Sequence, residues 1–83
     1  MSARRPKWGQ IERFFHRQGF GIRPRGGERV LVSPKGWTRG MGEGQCVCIG
    51  HTSCKSHGTE LLPCYVQSIK RVFGVTAEEI IDD

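Results

Sequence analysis

Glycine interrupts this chain before any apolar run can grow long. Twelve glycines are spread over 83 residues, and eleven of them fall between Gly9 and Gly58. Runs this short, broken this often, read as strands and turns. The pattern predicts five strands, over residues 8–16, 19–23, 28–33, 45–50 and 62–69. Pro24-Arg25-Gly26-Gly27 supplies a fixed φ and then residues that accept a positive one, so it predicts a tight turn. Pro34-Lys35-Gly36 ends the third strand because proline removes a ladder donor. The polar residues 51–60 form a loop. Alternation puts Val30 and Val32 on one face of the third strand, and Leu31 and Ser33 on the other. It likewise separates Val47 and Ile49 from Cys46 and Cys48. Ile11, Val30, Val32, Val47, Ile49 and Val66 are the expected interior.

Five short antiparallel strands suit an all-β OB-type barrel better than a sandwich, which needs about seven. The expected division is a basic arm over 1–7, a barrel over 8–70 and an extension over 71–83. In that extension Thr76-Ala77-Glu78-Glu79 reads as a capping box, which would open a short helix.

A chain of this size makes one domain with a thin core, which favours a binding module over an enzyme with a deep cleft. Its charge is unevenly placed. The first 39 residues hold ten Lys or Arg against Glu12 and Glu28, whereas the remainder is net acidic. A basic half of this density can neutralise phosphates and gain from counterion release. No signal-peptide pattern and no long apolar stretch are present, so the expectation is a cytoplasmic chain without a membrane span.

Four segments in order carry a resemblance. Gly9-Gln10-Ile11-Glu12-Arg13-Phe14-Phe15 followed by Gly19-Phe20-Gly21 resembles the start of a cold-shock domain, a family opening on Gly-x-Val-Lys-Trp-Phe-Asn and then Gly-Phe-Gly-Phe-Ile. Arg23 to Gly27 is similar to the family's next turn. Val30-Leu31-Val32-Ser33 stands where the family has Val-Phe-Val-His. Gly42-Glu43-Gly44-Gln45-Cys46-Val47 is similar to its approach to strand four. The resemblance spans residues 8–69 and implies a cold-shock-like barrel that binds single-stranded RNA or DNA, with aromatic rings stacked on bases. Departures are visible: Arg13 replaces the family's Trp, Gln18 its Lys, and Leu31, Ser33 and Pro34 its second set of aromatic and histidine positions.

On this reading the nucleic-acid-binding residues are Arg13, Phe14, Arg17, Phe20, Ile22, Arg23, Arg25, Leu31, Lys35 and Trp37. Phe20, framed by Gly19 and Gly21, would be the stacking platform. Phe14 and Phe15 would point to opposite faces, with Phe14 toward the ligand. Trp37 would touch a base or lid the barrel. Arg13, Arg17, Arg23, Arg25 and Lys35 would meet phosphates, and they could equally be solvated charge. Cys46, Cys48, Cys54 and Cys64, beside His51 and His57, lack the paired Cys-x2-Cys spacing of zinc knuckles, so free thiols are expected over zinc or disulfides. No catalytic constellation and no cofactor are expected. The alternative function is protein–protein interaction on a scaffold that has lost stacking aromatics, through an open strand edge or the acidic C-terminal tail.

Overall fold

The computed structural model describes residues 4–51 and 59–83. The elements run α1 (Trp8–Arg17), β1 (Gly21–Arg25), β2 (Glu28–Val32), β3 (Cys46–His51), α2 (Pro63–Phe73) and α3 (Ala77–Ile81). The three strands form one antiparallel sheet in the order β1-β2-β3. The five-stranded barrel is therefore overturned: the architecture is an open three-stranded sheet with three helices. No described helix is long and apolar enough to cross a membrane.

The first and last expected strands are both helices, for legible reasons. In residues 8–16 the buried side chains are Trp8, Ile11, Phe14 and Phe15. Their spacing of three, three and one is a helical stripe, and two adjacent buried rings cannot share one face of a strand. The Gln10 side chain accepts from the Lys7 N–H at 2.8 Å, which secures the first turn. Gly19, at φ 86°, ends α1, and the Phe20 N–H reaches back to the Phe15 carbonyl at 2.9 Å. In residues 62–69, Pro63 stands at the first helical position, where its missing N–H costs nothing. Ile69 and Phe73 then bury one α2 stripe, and Gly74 stops the helix at φ 70°. The expected capping box is present: Thr76 Oγ1 accepts from the Glu79 N–H and opens α3.

α1 and α2 pack against one face of the sheet, and α3 packs against α1. Leu31 and Val47 from that face join Trp8, Ile11, Phe15, Ile69, Phe73 and Ile80 in a single core, with Ile22 packed against it. This corrects the expected interior. Ile11, Val47 and Ile49 belong to the core and Val66 packs on its margin; in β2 Leu31 joins that cluster, Val30 is buried outside it and Val32 is only partly buried.

The β2–β3 connection is not a slack loop. It closes over the C-terminal end of α2 and satisfies carbonyls that a helix end leaves unpaired. The Met41 N–H donates to Val72 O at 2.7 Å, Trp37 Nε1–H to Phe73 O at 3.0 Å, and the Arg39 guanidinium to Gly74 O at 2.6 Å. Arg39 also meets both carboxylate oxygens of Glu79 at 2.8 Å, and this contact holds that carboxyl below its usual range. One arginine thus ties the connection to α2 and to the cap of α3.

Candidate nucleic-acid interface

The uncovered face of the sheet is read from the strand register. Arg23 pairs with Val30 and Val30 with Cys48; Gly21 pairs with Val32 and Val32 with Cys46; Arg25 pairs with Glu28. Side chains alternate along each strand, so these residues share the face opposite Ile22, Leu31 and Val47. Two exposed arginines, an exposed glutamate, two valines and two thiols therefore lie side by side with no described helix over them. Val30 is only 3 % exposed although it stands outside the helix-covered core cluster, in one row with Arg23 and Cys48.

The residues read from the sequence as a binding set separate into three groups. Phe14, Phe20 and Leu31 are internal. Phe20 is no platform: it makes edge contacts with Phe15 at 4.7 Å and with Trp37 and Phe73 at 4.8 Å. Trp37 is half-buried, its indole N–H committed to α2, and Ile22 faces the core. Of the predicted aromatic contacts, none reaches an exposed surface. All four Phe, both Trp and the single Tyr lie among the described residues, and none is in the exposed class.

The cations are different. Arg13, Arg23, Arg25 and Lys35 are exposed, and none has an ion-pair partner among the described residues. Arg23 and Arg25 stand on the open face. Lys35 follows Pro34, whose side chain lies against Gly19, so its turn meets the C-terminal end of α1. Arg13 lies on the exposed side of α1, and Arg17, also there, pairs with Asp83 at 2.9 Å. The structure thus brings Arg23 and Arg25 together and keeps Arg13 and Arg17 on a separate element.

Cys48, Glu28, Val30 and Val32 complete the open face, and the sequence reading did not include them. The signal was present: two strands joined by two residues fix the parity of every side chain once Leu31 is set inward. The Cys48 thiol donates to Glu28 Oε2 at 2.6 Å. Burial, then this hydrogen bond, push its pKa upward, so the thiol stays protonated. Cys46 is exposed on the same face. At pH 8, iodoacetamide should modify Cys46 several-fold faster than Cys48, because the thiolate is the nucleophile. Glu28→Gln should narrow the gap. Equal rates by peptide mass mapping would show that the Glu28 contact is not formed in solution.

Among the described residues no three His, Cys, Asp or Glu side chains converge as a metal site, and Cys54 and His57 of the weighed zinc set lie outside those residues. No family model, curated protein or solved structure matches the chain.

Proposed function

We propose that this protein binds RNA or DNA through the phosphate backbone, using Arg23 and Arg25 of the open face with Lys35, exposed cations without an ion-pair partner among the described residues, while Arg13 adds to the field from a separate element. The observation that carries this reading is the combination of those cations, unpaired among the described residues, with the absence of any Phe, Trp or Tyr in the exposed class. A single strand bound by stacking gains about 1–3 kcal/mol per base from aromatic faces, and here no Phe, Trp or Tyr is exposed to supply one. Counterion release needs only charge, and the chain carries a formal +5. Recognition is then by backbone and shape, with weak sequence preference, and a duplex serves at least as well as a single strand. A reducing cytoplasm suits the exposed thiols of Cys46 and Cys64.

The test is a fluorescence-anisotropy titration of a labelled duplex and its single strand across a salt series. Three phosphate contacts predict a log–log slope of about −2.7 on duplex DNA. Arg23→Ala with Arg25→Ala should lower the affinity of the folded protein and flatten the slope by about 1.8. Salt-independent binding, or a double variant that binds like the parent, would discard the reading.

A further inference from the structure

The two edges of the sheet are not equivalent. Arg25 and Glu28 flank a two-residue loop, Gly26-Gly27, and so form its closing hydrogen-bonded pair. Alternation makes Arg23–Val30 and Gly21–Val32 hydrogen-bonded pairs as well, and turns the backbone of Ile22 and Pro24 outward. Proline has no N–H to present there, so the β1 edge is missing a donor at one of its two outward positions. An outward position on an edge strand is also where a proline costs no ladder bond.

On the other side the pattern leaves an open edge. The Ser33 N–H donates to Gln45 O at 2.9 Å, which sets the ladder so that Leu31 and Val47 bond one another. The N–H and C=O groups of Cys46 and Cys48 therefore point away from β2. No backbone hydrogen bond from any other described element reaches them. β3 carries neither proline nor lysine, the usual guards of a free edge. Beside it, Cys46, Val47 and Cys48 face Cys64, Ser68 and Arg71 of α2 across a groove of about 310 Å³. Arg71 and its neighbour Lys70 are exposed and enter no ion pair among the described residues.

We propose that the β3 edge takes up an extended, acidic segment of a partner protein as a fourth strand. The edge supplies alternating donors and acceptors to a main chain, and Arg71 and Lys70 supply the charge that selects carboxylate side chains. A second copy is the weaker fit, because two chains of formal charge +5 would bring like charges to the contact. This site is separate from the open-face arginines and stands whether or not the chain binds nucleic acid.

Amide hydrogen exchange on the full chain, read by NMR, tests it. In the free protein the Cys46 and Cys48 amides should exchange roughly a hundredfold faster than the Val47 amide. An acetylated eight-residue peptide of alternating Glu and Val, at millimolar concentration, should slow exchange at Cys46 and Cys48. The Lys/Val counterpart should not, and Arg71→Glu should reverse that preference. Cys46→Pro removes an outward donor without touching the ladder and should abolish the protection. The proposal fails if these amides are already slow in the free protein, or slow as its concentration rises, which would make a second copy the occupant. It fails too if neither peptide protects them or both do so equally.

Discussion

Gly40→Ala should cost this protein about 4 kcal/mol, a large share of the stability of a domain this small. Gly40 sits at φ +58°, which alone costs alanine about 1–2 kcal/mol. The larger effect is spatial. A Cβ at this position would run into the Val72 carbonyl oxygen and lie 2.6 Å from Phe73 C and 2.7 Å from Gly74 N. These are backbone atoms of a helix end, so they cannot swing aside. The connection must lift, and the bonds from Met41, Trp37 and Arg39 to the α2 terminus go with it, at about 1 kcal/mol each. Thermal unfolding should move down by about 15–30 °C. Gly44→Ala is the control: its φ is +73°, but nothing lies within 4 Å of its Cβ site. It should show only the conformational cost. Equal midpoints for the two variants would mean that the connection does not clasp α2.

Phe20→Ala should be of similar size, about 3–5 kcal/mol, because it empties a position ringed by Phe15, Trp37 and Phe73. Lost binding in that variant would report unfolding and nothing else. Phe20→Leu keeps most of the volume and separates the two roles of the ring. In the folded leucine variant, affinity for a labelled single strand should match the parent. A loss of about tenfold or more, with the midpoint of unfolding little changed, would return the ring to the ligand.

What the sequence made legible was local, and what it hid was the choice of period. The strands over 28–33 and 45–50 match β2 and β3 within a residue because β-branched side chains alternate there. The capping box at Thr76 was readable because its two side chains are three positions apart. Residues 8–16 and 62–69 were misread because short apolar stretches flanked by glycine or proline fit either period. Trp8, Ile11, Phe14 and Phe15 did carry the answer, since their spacing is helical. The resemblance to a cold-shock domain placed Gly19-Phe20-Gly21 on a strand facing the ligand. In the structure Gly19 ends a helix and Phe20 turns inward, and those same glycines meet a different need. Of the site, the charges were legible and the rings were not. An exposed arginine is the default state of that residue, but whether a phenylalanine is buried depends on which helix passes over it.

Pro24 bears on how the protein behaves when crowded. A growing fibril needs each molecule to offer both a giving and a receiving edge, so that copies stack head to tail without end. With a proline at one of the two outward positions of the β1 edge, this sheet is extended more readily on the β3 side. Two copies that met through β3 would leave only their proline-bearing β1 edges outward, so stacking of whole copies stops at a closed pair instead of propagating into a filament.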